Sequence, residues 1–148
     1  MKKFLFGLLS MTLTIAGAAT LQEKDGRLLI DNHVYTMTIA PKLGGRITSW
    51  LQSRDQRQFC YWDSSAGHAG LLDDKGEFSA MNYHAEIVLN SPQQIRIRLT
   101  SPSDQRGLSI AKTIIVDDAS AAFRVEYEYR NQGKTIYQDE LMTRNYLL

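Results

Sequence analysis

The segment FRVEYEYR at residues 123–130 alternates strictly between apolar or aromatic side chains and charged ones. Successive side chains of a β-strand point to opposite faces of a sheet, so this alternation predicts a strand with one buried and one solvated face. Residues 94–100 (QIRIRLT) and 35–39 (YTMTI) follow the same period of two. No segment after residue 19 keeps the apolar period of an amphipathic helix. The sequence therefore predicts an all-β fold.

Residues typical of turns separate the predicted strands. Asp31-Asn32 divides strands at residues 27–30 and 33–39, which we expect to form the first hairpin. Further turn signals separate strands at residues 84–89, 93–101, 108–116 and 122–130. Strands at this regular spacing are typical of an antiparallel β-sandwich rather than of alternating strands and helices.

The first nineteen residues have the composition of an export signal. Lys2 and Lys3 precede an apolar stretch at residues 4–15, and small residues follow it up to Ala19. The apolar stretch is shorter than the roughly 20 residues that a membrane-spanning helix needs. The sequence therefore predicts a cleaved signal peptide at residues 1–19, a single β-sandwich domain at residues 20–148, and a periplasmic or secreted location.

Composition and charge exclude several classes of partner. The chain of 148 residues is 43% hydrophobic and 22% charged, which fits one ordinary globular domain. Its formal net charge of +1 becomes −1 once Lys2 and Lys3 leave with the signal. Nucleic-acid-binding and membrane-surface-binding domains both carry a clear basic excess. We therefore expect no nucleic-acid partner and, after signal cleavage, no membrane partner. Cys60 is the only cysteine, and it is predicted to be a small apolar core residue.

Two stretches carry a family resemblance. The first, Ile39-Ala-Pro-Lys-Leu-Gly-Gly-Arg-Ile-Thr-Ser-Trp50, resembles the early hairpin of the galactose mutarotase-like (aldose 1-epimerase-like) supersandwich family. The second, residues 108–133, resembles the pair of long strands that ends in an Asn-x-Gly turn midway through such domains. Gly44 and Gly45 permit positive φ and leave Arg46 at the start of a strand. The resemblance implies an exported carbohydrate-binding domain with this fold.

The sequence departs from the family where catalysis is concerned. Family members with epimerase activity resemble one another in using a histidine general acid and a late glutamate general base, in chains about twice this length. The region that would carry the late glutamate is absent from this sequence. We therefore expect residues 20–148 to resemble the N-terminal half only, as in a truncated chain, and assign no general base.

Three residues are predicted to contact the sugar: Arg46, Trp62 and His68. A guanidinium can hydrogen-bond neighbouring hydroxyls, and an aromatic ring can stack on the C–H face of a sugar. His68 lies in the glycine-flanked run Gly-His-Ala-Gly, within a long loop at residues 63–81 that we expect to border the binding cleft. For Arg46 the alternative is an ion pair with an acid at a sheet edge. Trp50 is predicted to be a core residue.

Two other functions stay open at this point. An aldose epimerase would use His68 or His84 as general acid. Its base would have to come from a few loosely placed carboxylates: Asp73, Asp74, Glu77 and Glu140. A structural or interaction domain would instead pair through an open sheet edge, with a second copy as in a homo-oligomer or with another exported protein.

No metal or cofactor is predicted. Asp73, Asp74 and Glu77 form an acidic run that is compatible with calcium, but its spacing does not match an EF-hand loop. Solvated loop carboxylates are the favoured interpretation. The sequence contains no His/Cys cluster suited to zinc, no phosphate-binding glycine loop and no G-x-S-x-G motif.

Overall fold

The computed structural model describes residues 17–60, 70–74, 76–134, 136 and 143–145. Within these ranges the fold is all-β, as predicted, and consists of two antiparallel four-stranded sheets. The N-terminal sheet contains β1 (Thr20–Lys24), β2 (Arg27–Asp31), β3 (Tyr35–Ala40) and β4 (Arg46–Gln52). The C-terminal sheet contains β6 (His84–Asn90), β7 (Gln94–Thr100), β8 (Leu108–Asp117) and β9 (Phe123–Asn131).

A third, two-stranded sheet pairs a segment between the two large sheets with a segment that follows the C-terminal sheet in the sequence. It joins β5 (Asp73–Asp74) to β10 (Thr143–Arg144), and a single 3-10 turn at Gly76–Ala80 follows β5. No helix in the described ranges is long and apolar enough to span a membrane.

Both large sheets are meanders, because each strand pairs with its neighbour in the sequence. Their facing sides share one hydrophobic core, to which the N-terminal sheet contributes Ile30, Met37 and Ile47 and the C-terminal sheet Ile97 and Ile114. All five are nearly or completely buried. The predicted β-sandwich is therefore confirmed.

The hairpin predicted at Asp31-Asn32 is present, but the prediction that it is the first was wrong. The first hairpin joins β1 to β2 through Asp25 and Gly26, which both have positive φ, as a tight two-residue hairpin turn requires. The turn after Asp31 forms the second hairpin. Leu21 is the one residue of β1 that is partly buried, so this edge strand lacks the alternation by which β3, β7 and β9 are recognised.

Asn32 ties the two sheets together at one end of the sandwich. Its side chain is fully buried, and its Nδ2 donates to the carbonyl oxygens of Asp117 (3.0 Å), the last residue of β8, and of Ser120 (2.8 Å) in the turn that follows. Its Oδ1 accepts from the amides of Val34 and Tyr35. One side chain thus holds the β2–β3 turn against the β8–β9 turn.

The turn between β3 and β4 is as tight as the glycine pair predicts. Gly44 and Gly45 have φ of 70° and 59°. A Cβ on Gly44 would lie 2.5 Å from the carbonyl oxygen of Ser79. The turn therefore packs directly against the 3-10 turn, and Arg46 follows it as the first residue of β4.

Candidate functional site

Four charged side chains lie buried between the sheets, and we call them the ionic cluster: Arg46, Asp73, Asp74 and Lys112. Their exposed fractions are 5%, 0%, 1% and 0%. A buried charge is costly unless an opposite charge and hydrogen bonds compensate it. The partners of each group therefore determine what the cluster can do.

Lys112 has an acceptor for each of its three N–H bonds. Its Nζ lies 2.8 Å from Asp74 Oδ2 and donates to the carbonyl oxygens of Gly44 (2.8 Å) and Leu72 (2.9 Å). The ammonium also lies 4.6 Å from the centre of the Tyr83 ring, a cation–π distance. Burial lowers the pKa of Lys112, and the Asp74 carboxylate opposes that shift.

Asp74 is the point on which several elements converge. Besides Lys112, its Oδ2 accepts from the Tyr83 hydroxyl at 2.7 Å, and its Oδ1 accepts from Thr143 Oγ1 at 3.0 Å. Burial raises the pKa of Tyr83 and of Tyr127, and the nearby Asp74 carboxylate raises each further. The carboxylate thus holds β5, β10 and the C-terminal sheet together.

Arg46 and Asp73 form the second half of the ionic cluster. Arg46 Nη2 lies 3.1 Å from Asp73 Oδ1 and donates to the carbonyl oxygen of Ser79 at 2.7 Å. This is the acid-paired arrangement that the sequence left as the alternative for Arg46. A sugar contact by Arg46 stays a prediction.

The expectation that Asp73 and Asp74 are solvated was wrong, because cations on β4 and β8 draw both carboxylates into the interior. Glu77 alone of the acidic run is exposed. Within the ranges that the structure describes, no group of three or more His, Cys, Asp or Glu side chains is arranged to hold a metal ion.

Two of the three predicted sugar ligands, Trp62 and His68, lie outside the described residues, as does Glu140. His84 is exposed at the start of β6, where it pairs in register with Thr100. The candidate acids and bases of an epimerase are therefore not assembled by the part of the chain that the structure describes, and that activity stays a prediction.

The two ends of the undescribed segment 61–69 return to the same residue of β4. On one side, Cys60 Sγ lies 3.4 Å from the carbonyl oxygen of Ile47. On the other, Leu71 and Ile47 exchange two backbone hydrogen bonds of 2.9 and 3.0 Å, and a Cβ on Gly70 would lie 2.5 Å from the Ile47 carbonyl oxygen. Ile47 directly follows Arg46.

Cys60 has the core position that the sequence predicts, whereas Trp50 is only partly buried and packs against the core. Cys60 is 1% exposed, and burial raises the pKa of its thiol to about 11. Trp50 is half-buried and packs edge-on against Tyr35 and Phe123, with ring centres 5.9 and 5.2 Å apart. Its third aromatic neighbour is Phe59.

Sequence reasoning missed Lys112 and Tyr83. A signal for Lys112 was present, because it takes the place of an apolar residue in the alternating row Leu108, Ile110, Lys112, Ile114. A charged residue on the core face of a strand needs a buried partner. No comparable signal marks Tyr83, which lies in a polar connection before β6.

Comparison of the chain with protein-family models and with curated proteins gave no match. The likeness to the mutarotase-like family therefore stays an expectation from the sequence. A fold by itself does not determine a function. What the structure shows is an antiparallel β-sandwich with a buried ionic cluster, beside the anchored residues that flank segment 61–69.

Proposed function

We propose that the protein binds a carbohydrate at the β4 site, formed by Arg46 and the segment 61–69. The observation that carries the proposal is the return of both segment ends to Ile47, next to Arg46. Trp62 is two residues from Cys60, and His68 is two residues from Gly70. Both side chains thus belong to a short connection whose ends are fixed beside the arginine.

The chemistry of these side chains suits a sugar. A tryptophan ring stacks on apolar C–H faces, and an imidazole exchanges hydrogen bonds with hydroxyls. Arg46 is held by Asp73 and Ser79 before any ligand arrives, so binding loses little side-chain entropy there. Because Arg46 is only 5% exposed, Trp62 and His68 provide most of the binding energy in this proposal.

Thermal unfolding of the purified chain in the presence of mono- and oligosaccharides tests the proposal. A ligand that binds only the folded state raises the midpoint, by a free energy that grows with the logarithm of the ligand concentration divided by its Kd. We expect one sugar class to raise it, and Trp62→Ala and His68→Ala to remove the shift without lowering the midpoint of the protein alone.

His33→Ala is the matched control for His68→Ala, because His33 is an exposed histidine in the β2–β3 turn. Arg46→Ala is a poor first test, since it leaves the buried Asp73 carboxylate without this cation. A full shift in Trp62→Ala, or no shift with any sugar, would contradict the proposal.

A second candidate function is self-association through β6, and the exposed apolar side chains of that strand favour it. Among the described elements, β6 is an edge strand of its sheet. Ile87, Val88 and Leu89 are 48%, 51% and 38% exposed, and Val88 has no register partner on β7. An edge strand of this kind invites pairing with a second copy of the chain. Sedimentation should then show a dimer that Val88→Lys converts to a monomer, and a wild-type monomer would exclude it.

A further inference from the structure

The outer face of the C-terminal sheet has a floor of small side chains. On β8, Ser109, Ala111 and Thr113 are partly buried or buried on this face and alternate with the core residues Ile110 and Ile114. In the register of the sheet, Ala111 lies between Thr100 of β7 and Glu128 of β9. Short residues on the central strand leave a depression between the longer side chains of its neighbours.

Charged side chains form the walls of this depression. Arg98 of β7 reaches across β8, so that its Nη2 lies 2.5 Å from Glu128 Oε2. Arg130 of β9 donates through Nε to the other oxygen of the same carboxylate. These hydrogen bonds lower the pKa of Glu128, the one from Arg98 most. The carboxylate is therefore held between two guanidinium groups.

We call the depression the outer cleft. Its volume is about 410 Å³, within the range of about 300–1,000 Å³ typical of small-molecule sites. Two guanidinium groups and one carboxylate give it a formal charge of +1. Hydroxyl and amide groups make up most of the remaining lining: Thr100, Ser101, Ser103, Ser109 and Gln132.

We propose that the outer cleft binds a monosaccharide that carries a carboxylate, a hexuronate. The guanidinium groups of Arg98 and Arg130 pair with the ligand carboxylate in the two-pronged geometry that arginine favours. The serine and threonine hydroxyls and the Glu128 carboxylate hydrogen-bond the sugar hydroxyls. Among the described residues, no aromatic ring lines the cleft, so charge and hydrogen bonds rather than stacking select the ligand.

The outer cleft lies on the other side of the C-terminal sheet from the ionic cluster that holds Arg46. Lys112 of the ionic cluster faces the interior of the sandwich, whereas its neighbour Ala111 lines the cleft on the opposite face of the same strand. The proposal for the cleft therefore gives no role to Arg46, Trp62 or His68. The two sites can be tested independently.

Calorimetric titration of the purified chain with glucuronate, glucose and acetate tests the inference. We expect glucuronate to bind with an affinity that falls as salt is added, and glucose and acetate to bind at least tenfold more weakly. Equal binding of glucose would exclude recognition of the carboxylate, and equal binding of acetate would exclude recognition of the sugar. Absence of glucuronate binding would overturn the proposal.

Two substitutions should change the affinity in opposite directions. Arg130→Gln removes a charge-assisted hydrogen bond and should weaken glucuronate binding about tenfold or more. Glu128→Gln keeps a hydrogen-bond acceptor but removes the carboxylate that competes for both guanidinium groups, and should strengthen binding about threefold. A fold defect would weaken both variants alike, and that outcome would count against the proposal.

Arg124→Gln is the matched control for Arg130→Gln. Arg124 lies on the same strand, and its replacement by glutamine removes the same charge. Arg124 does not line the cleft, because its guanidinium faces Asp117. Its glucuronate affinity should stay within twofold or so of the wild-type value. Trp62→Ala should also leave glucuronate binding intact, which separates failure at the cleft from failure at the β4 site.

Discussion

Lys112 Nζ lies 2.8 Å from Asp74 Oδ2, with both side chains removed from solvent in the interior of the sandwich. The contact ties the central region of the C-terminal sheet to the connection that leads from β4 to β6. Taking two charges out of water is expensive, and much of the attraction between them only offsets that cost. The pair therefore matters most when one member is removed.

Lys112→Met should lower the free energy of unfolding by about 3–5 kcal/mol, because it leaves the Asp74 carboxylate buried without its cation. Combining it with Asp74→Asn should recover a large part of this loss, since the amide carries no charge. Urea unfolding of the single and double variants measures the effect. Arg124→Gln, which breaks an exposed pair, should change the same quantity by no more than about 0.5 kcal/mol. A Lys112→Met variant as stable as this control would show that the pair is dispensable.

Asn32→Ala should cost at least about 2 kcal/mol of unfolding free energy, because it removes four hydrogen bonds to backbone groups, one of them buried and three partly buried. Asn32→Asp keeps the two accepted hydrogen bonds but turns a carboxylate toward two carbonyl oxygens. Its deficit relative to wild type should therefore shrink at acid pH, where the carboxyl can donate. Denaturant unfolding at neutral and acid pH tests both variants. Asn82→Ala, at an exposed position, is the control and should be nearly neutral.

Gly44→Ala should destabilise the protein more than Gly76→Ala does. The two glycines have nearly equal φ of 70° and 73°, so the backbone penalty of about 1 kcal/mol is common to both. At Gly44 the new methyl group would also meet the Ser79 carbonyl oxygen at 2.5 Å, whereas at Gly76 no other described residue beyond its chain neighbours has an atom within 4 Å. The difference between the unfolding free energies of the two variants measures the cost of the steric clash at Gly44. Equal losses would mean that the β3–β4 turn can move away from the 3-10 turn.

The protein should lose stability steeply at alkaline pH. Burial raises the pKa of Tyr35, Tyr83 and Tyr127, with Asp117 adding to the first shift and Asp74 to the other two. The unfolded chain ionises these phenols above their ordinary pKa of 10.0, while the folded chain keeps them protonated. Each therefore lowers the unfolding free energy by about 1.4 kcal/mol per pH unit above that value.

Lys112 changes the unfolding free energy in the opposite direction, since it makes the protein more stable as the pH rises. It does so only below its ordinary pKa. Because burial lowers its pKa in the folded state, the unfolded chain holds the extra proton up to about pH 10.5, and stability rises until then. Denaturant unfolding across this range, with tyrosinate absorbance as a second readout, tests the sum. Tyr83→Phe removes one of the three phenols, so the unfolding free energy should fall less steeply with pH, by about 1.4 kcal/mol per pH unit. A flat profile above the ordinary tyrosine pKa would contradict the prediction.

Turn residues and the alternation of side chains together were sufficient to predict β2, β3 and β6 to β9 to within two residues or so of their observed ends. The exposed edge strand β6 was predicted from the turn residues that bound it. Alternation failed for β1, where Leu21 alone is turned inward, although Asp25-Gly26 is a strong turn signal. Alternation reports burial of one face, so an exposed edge strand leaves no trace in it.

The site was harder to predict because its partners are distant in the sequence. Arg46 could be singled out from its position after the glycine pair, but nothing near it indicates Asp73 as its partner. The acidic run around Asp74 looks solvated until Lys112 is brought to it by the packing of the two sheets. When tertiary packing pairs two distant residues, the sequence can show that one of them needs a partner, as a lysine in an apolar row does. It does not show which residue that partner is.

The meander order of both sheets has a consequence for folding kinetics. Strands that pair are neighbours in the sequence, so each sheet can assemble by closing short loops at low entropic cost. The ionic cluster draws on β4, β5 and β8, and it closes only when the assembled sheets dock. Substitutions at Lys112 should therefore accelerate unfolding while leaving the refolding rate almost unchanged. The contacts between the buried charges then form after the transition state of folding. They determine how long the native state persists rather than how fast it forms.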